Sequence, residues 1–145
     1  MKVLVQRVSE AHVEVDQNII SSIKHGFLLY VCFESEDDIE KIDHAIYRIS
    51  KLRIFEDLKG KMNDNIIDVK GSILSVSQFT LSWDGSKGHR PSFDLAMPPQ
   101  QAKIFYKLFN DKLKEQGIEV QAGVFGADMQ VHSTNDGPVT FHLSF

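Results

Sequence analysis

The sequence predicts an α+β fold: antiparallel-rich curved sheets or a partly closed β-barrel, with two helices packed on one side, in a single domain over residues 1–145. Three observations predict it. Period-two alternation recurs from the first residues to the last. Two segments with three- and four-residue apolar spacing interrupt it. Turns carrying Gly or Pro separate these pieces, with no repeat, linker or low-complexity tract between them.

The elements follow in order. Residues 2–8 place Val3, Val5 and Arg7 on one face and Leu4, Gln6 and Val8 on the other. From Ala11 the pattern sharpens, with Ala11, Val13 and Val15 inward and His12, Glu14 and Asp16 outward. Residues 19–23 suggest another short strand. The unbroken apolar run 27–33 reads as a strand covered on both faces. Asp37 and Asp38 open the first helix, where Ile39, Ile42, Ile46 and Ile49 form an apolar face. Residues 53–55 read as a short strand and 56–64 as a loop around Gly60. Ile73, Leu74 and Val76 build a buried strand over 72–78, followed by a surface loop at 82–90. Pro98 and Pro99 precede the second helix, whose stripe is Ala102, Phe105, Tyr106, Phe109 and Leu113; Gly117 ends it. Strands are then expected from Ile118, over 128–132, and along the tail from Val139, with a turn at 135–140.

Composition narrows the function classes. Hydrophobic residues make up 42% and charged residues 25%, an ordinary globular balance. The net charge of −4 argues against a broad grip on duplex nucleic acid, though not against docking one nucleic-acid end through a local basic patch. The N-terminal apolar run is too short for a signal core, and no segment approaches the roughly 20 apolar residues of a membrane span, so a cytoplasmic protein is expected. Cys32, the single cysteine, sits in an apolar run and reads as an inert thiol. The histidines His12, His25, His44, His89, His132 and His142 lack the paired spacing of zinc sites, so no metal or cofactor is expected. Walker loops, dinucleotide fingerprints and nucleophile elbows are absent from the sequence.

Two stretches carry chemistry. Ser77, Gln78, Phe79 and Thr80 break a buried strand, so backbone N–H groups there can lose their ladder partners and serve as oxyanion donors. Thr80 offers a hydroxyl that either attacks a carbonyl or orients a water. Near the C-terminus, Asn135, Asp136, Gly137 and Pro138 form a turn whose stiff point is the Gly-Pro bond. Such a pair can present backbone carbonyls with no side chain in the way. Read alone, this stretch is ordinary turn punctuation.

These two stretches, in this order, resemble the D-aminoacyl-tRNA deacylases. Agreeing pieces are Gln6-Arg7-Val8, Lys61-Met62-Asn63, Arg90-Pro91-Ser92-Phe93 and the run from Phe125 through Met129 to Val131, so the resemblance spans the whole chain. It implies hydrolysis of the ester between a D-amino acid and the 3′-terminal adenosine of tRNA, with glycyl-tRNA also accepted. It further implies a cis Gly137–Pro138 peptide reaching into a partner subunit's active site, and hence a homodimer with active sites at the interface. Ser77, Gln78, Phe79 and Thr80 would form one catalytic wall, Phe125 and Met129 would line the substrate cavity, and Arg7 would brace the Gly-Pro loop. The loop holding Lys87 and Arg90 is our candidate for phosphate contact. Two other readings use the same residues: a small-molecule serine or threonine esterase, and a dimeric interaction domain without catalysis.

Overall fold

β1 (Lys2–Val15) is the strand on which the sheet is built, in a computed structural model that describes residues 1–86 and 88–145. Along one edge it pairs antiparallel with β2 (Asn18–Ile23) and β3 (Gly26–Cys32), and along the other with β8 (Gln130–Ser144). A two-residue turn joins β1 to β2, with Asp16 and Gln17 both at positive φ, as a tight hairpin of that hand requires. β6 (Ser72–Ser77) and β7 (Glu119–Ala122) extend the sheet beyond β3 in parallel. The sheet is therefore mixed, which alternation alone did not specify. Parallel neighbours need a crossover, and the two helices supply them: α1 (Ile39–Ser50) between β3 and β6, α2 (Pro99–Glu115) between β6 and β7. A small hairpin of β4 (Phe55–Glu56) and β5 (Met62–Asp64) follows α1.

Both helices lie on one face. There Val3, Val5, Phe27, Leu29 and Ile73 meet Ile42, Ile46 and Ile49 of α1 and Phe109 and Leu113 of α2. Each such apolar side chain taken from water contributes about 1.5–3 kcal/mol. On the other face Val8, Ala11, Val13, Leu28, Leu74 and Val76 form a second cluster, and the sheet curls until β2 meets β6 and β7. The result is a nearly closed, barrel-like sheet with two helices outside it.

Several sequence expectations change. Ile39 belongs to the first turn of α1 and is exposed; Ala45 joins Ile42, Ile46 and Ile49 in the buried stripe instead. Asp38 caps that helix, accepting from the Lys41 N–H at 2.9 Å, whereas Asp37 turns inward and is buried. The strand expected at 53–55 begins only at Phe55, because Arg53 is exposed and bonds Asn63 across the hairpin. The expected loop at 56–64 contains β5. The largest change concerns 135–140. It does not reverse the chain: residues before and after it both pair antiparallel with β1, Asn135 opposite Val8 and Thr140 opposite Gln6. Gly137 and Pro138 are thus an outward excursion from one long strand.

Candidate active site

β6 stops at Ser77, and Phe79–Ser82 close a single 3-10 turn. The Gln78 N–H still has a ladder partner, donating to the Val31 carbonyl at 2.8 Å, so it is not one of the free donors the sequence suggested. The next two N–H groups, those of Phe79 and Thr80, have no hydrogen-bond acceptor among the described residues. They open a helical turn, where no preceding carbonyl is in register.

A cavity of about 390 Å3 lies against this strand end. Ser77, Gln78 and Phe79 line it, with Phe125 and Met129 from the segment between β7 and β8 and Cys32 from the end of β3. Thr80 does not line it but is tied to a residue that does, since the Gln78 amide donates to the Thr80 hydroxyl. Gly123 packs closely here: a Cβ there would sit 2.7 Å from the Met129 sulfur and would push that side chain aside at the cavity wall. Phe79 is 59% exposed and packs its ring against Phe93 with centroids 5.0 Å apart, leaving an aromatic surface beside the cavity.

Tyr106 supports the site and was read from sequence only as part of an apolar stripe. Its hydroxyl donates to the Ser75 carbonyl at 2.7 Å, and its ring lies 5.9 Å from that of Phe125. Ser75 O also accepts from the Gly123 N–H at 2.9 Å, so one carbonyl fixes β6 just before the end that lines the cavity. Burial raises the Tyr106 pKa above its ordinary 10.0, keeping the hydroxyl a donor. A tyrosine among the phenylalanines of a buried stripe was the available signal, because a buried hydroxyl needs a partner. The Cys32 thiol is pushed up to about 11, first by burial and then by the Glu34 carboxylate, and points at the carbonyls of Phe79 and Phe33. It is not a thiolate at neutral pH.

The remaining candidates form a separate cluster. Arg7 is buried where β1 shifts register; its Nη1 donates to Ile54 O at 2.7 Å and its Nε to Asp136 O at 3.2 Å. Asn135 Nδ2 donates to Arg7 O at 2.9 Å and Val139 O at 3.1 Å, closing the base of the excursion. At its tip Gly137 has φ of 120° and the Gly137–Pro138 peptide is cis; both residues are exposed. Neither they nor Arg7 line the cavity of their own chain. In the loop considered for phosphate, His89 and Arg90 are exposed, and Lys87 lies outside the described residues.

Comparison with known proteins places this architecture. The fold is shared with solved structures: a chain described as a probable eukaryotic D-amino acid tRNA deacylase superposes with a TM-score of 0.84 at 18% identity, covering 98% of this chain and 97% of that one. A chain described as the c-Myc DNA unwinding element binding protein superposes with a TM-score of 0.95 at 42% identity, over 100% of this chain and 99% of that one. The chain belongs to the D-Tyr-tRNA(Tyr) deacylase family, whose sequence profile matches residues 4–144. Relatives named D-aminoacyl-tRNA deacylase include one from Geotalea daltonii, 52% identical over 99% of this chain and 95% of its own length. Another, from Geotalea uraniireducens, is 50% identical over 99% of this chain and 92% of its own length.

Proposed function

We propose that the protein hydrolyses the ester linking a D-amino acid to the 3′-terminal adenosine of tRNA and rejects the L-aminoacyl ester. The observation that carries this reading is the pair of N–H groups, on Phe79 and Thr80, without an acceptor among the described residues, at the end of a strand whose Ser77 and Gln78 line a ligand-sized cavity. Water adds to the ester carbonyl carbon, and the negative charge gathers on the carbonyl oxygen, where these N–H groups stabilise it. A single such donor is worth about 2.7–4 kcal/mol of barrier. The bond to the ribose oxygen then breaks, that oxygen takes a proton, and the products are the free amino acid and tRNA.

Thr80 acts in positioning. A hydroxyl nucleophile needs a base to accept its proton. Among the described residues the hydrogen-bond partner of Thr80 Oγ1 is the Gln78 amide, which cannot accept one. Backbone donors and the neighbouring ribose 2′-hydroxyl therefore do the work. Phe125 and Met129 bound the space for the aminoacyl and adenosine groups, and Arg90 contacts phosphate.

Handedness is judged by Gly137 and Pro138 of a second copy, in a homodimer whose active sites lie at the interface. Their carbonyls hold the substrate α-amino group, so an L side chain runs into the prong while a D side chain points away. Glycyl-tRNA, with no side chain to clash, is accepted. Two features support a partner here. The prong is exposed and braced yet lies outside its own cavity. Among the described residues, β8 pairs only with β1, leaving a 15-residue strand with an uncovered edge. No helix among the described residues is long and apolar enough to cross a membrane; the substrate class suits a cytoplasmic enzyme.

The test is deacylation of matched D- and L-tyrosyl-tRNA beside a simple aryl ester. Preferential hydrolysis of the D-ester, by roughly 100-fold or more, is expected; that ratio equals about 2.7 kcal/mol of transition-state discrimination. Turnover of the aryl ester alone would favour the small-molecule esterase reading, and no turnover of any ester would favour the interaction domain.

A further inference from the structure

We propose that His12, Glu14 and His132 form a binding site for one late first-row divalent metal ion, with Zn2+ the best match. The sequence showed no local histidine spacing of that kind, because the ligands come from opposite ends of the chain. Strand pairing brings them together. His12 on β1 stands directly opposite His132 on β8, and Glu14, two residues further along β1, stands opposite Gln130 on the same face.

The donor atoms converge. His12 Nε2 lies 3.3 Å from Glu14 Oε1, and His132 Nε2 lies 3.8 Å from Glu14 Oε2. All three ligand atoms fall within 4.8 Å of one another. In a tetrahedral zinc site with bonds of about 2.0–2.1 Å, neighbouring donors stand roughly 3.3–3.4 Å apart. His12 stands at that distance from one oxygen of the Glu14 carboxylate and His132 at 3.8 Å from the other, so a small rotation of the carboxylate and the rings is needed to bring one oxygen and both nitrogens onto the ion. The imidazoles stack with centroids 4.5 Å apart and planes 9° from parallel. Their side chains are 33% and 50% exposed, which leaves room for the ring rotation that turns both lone pairs onto one ion. The fourth position faces solvent and takes water.

The donor set selects the metal. Two imidazoles with one carboxylate suit Zn2+, Co2+, Ni2+ or Cu2+, whereas Ca2+ and Mg2+ favour all-oxygen shells. The place in the fold gives the ion a structural part. Val131, next to His132 and pairing with Val13, turns to the other face and lines the cavity. An ion on the outer face would therefore clamp β1 to β8 behind the cavity wall, without touching the reacting ester.

The test uses the full-length protein, stripped with chelator and titrated with ZnCl2 by calorimetry and with CoCl2 by visible absorption. The expected result is one ion per chain, a tetrahedral Co2+ spectrum, and a rise in Tm with added Zn2+. H12N, H132N and E14Q should each weaken binding at least about tenfold. H142N, elsewhere on β8, should leave it unchanged. These positions are at the surface of the sheet, and circular dichroism on each variant reports that it is folded; E14Q, the mildest change, decides the matter if a histidine variant is not. Absence of Zn2+ binding by the wild type overturns the proposal. So does equal binding by wild type and E14Q, or equal weakening by H142N.

Discussion

Arg7 Nε lies 3.1 Å from Asp136 Oδ2 and 3.2 Å from Asp136 O, so a buried side chain of the first strand holds the base of the exposed Gly137–Pro138 prong. The same guanidinium reaches Ile54 O, tying the prong to the segment after α1. Arg7→Ala should therefore lower stability by about 2 kcal/mol, the scale of hydrogen bonds to a charged group, and should reduce D-aminoacyl-tRNA hydrolysis beyond that loss. Urea denaturation and deacylation at saturating protein check both; an unchanged midpoint would contradict the bracing role.

Gly137 should not tolerate a side chain. Its φ is 120°, and an added Cβ would meet Val139 Cγ2 at 2.8 Å and Arg7 Nη2 at 3.0 Å. Gly137→Ala displaces the prong while leaving both apolar clusters intact. A displacement near 1 Å at a positioning element can cost on the order of 100-fold in rate. Kinetics with D-tyrosyl-tRNA should show a loss of that order, with folded protein by circular dichroism. Activity within twofold of wild type would remove Gly137 from the site.

Asp37 joins three groups at a buried position. It accepts from the Met1 amino group at 2.6 Å, the Glu34 N–H at 2.6 Å and Lys41 Nζ at 3.0 Å. The Met1 and Asp37 side chains are both 0% exposed. Removing the carboxylate leaves the buried Met1 amino group only Glu34 Oε2 at 3.4 Å and the Phe145 carbonyl at 3.2 Å, so Asp37→Ala should cost about 3 kcal/mol, the low end for breaking a buried pair. Chemical denaturation measures it, and a loss below 1 kcal/mol would contradict the pairing.

Cys32 gives a pH signature. Its thiol is raised from 9.0 to about 11, so the folded chain keeps the proton where an unfolded chain loses it. The associated stability is complete below pH 9 and is lost as pH rises through about 11; Cys32→Ala should lack that dependence. Alkylation requires the thiolate, so its rate in the folded protein should climb about tenfold per pH unit from 8 to 10. A plateau near pH 9 would be the contrary result.

Much of this was legible in the sequence. Alternation gave the long first strand, the apolar run gave β3, and Tyr106, Phe109 and Leu113 marked the buried side of α2. The strand end at Ser77 was readable because a polar run follows a buried one, and the structure gathers Ser77, Gln78, Phe79, Phe125 and Met129 at one cavity. What could not be read was long-range pairing. Local pattern says nothing of which strand lies beside which, so the parallel placement of β6 and β7 was not available. The same holds for the bond of Tyr106 to Ser75 O and the meeting of His12 with His132. The excursion at Gly137 looked like a chain reversal for the same reason: turn residues reveal a bend, and only the pairing with β1 reveals its direction.

The central claim is that two chains share each active site, one giving the cavity and the other the prong. Subunit complementation tests it most directly. Gly137→Ala spoils the prong, and Ala102→Trp fills the cavity that Ala102 lines. Each variant alone should hydrolyse D-tyrosyl-tRNA poorly. Co-refolded at equal amounts, half the dimers are mixed and each holds one intact site, so about a quarter of wild-type activity should return, still selective for the D-ester. A mixture no more active than the mean of the two variants would contradict the shared site.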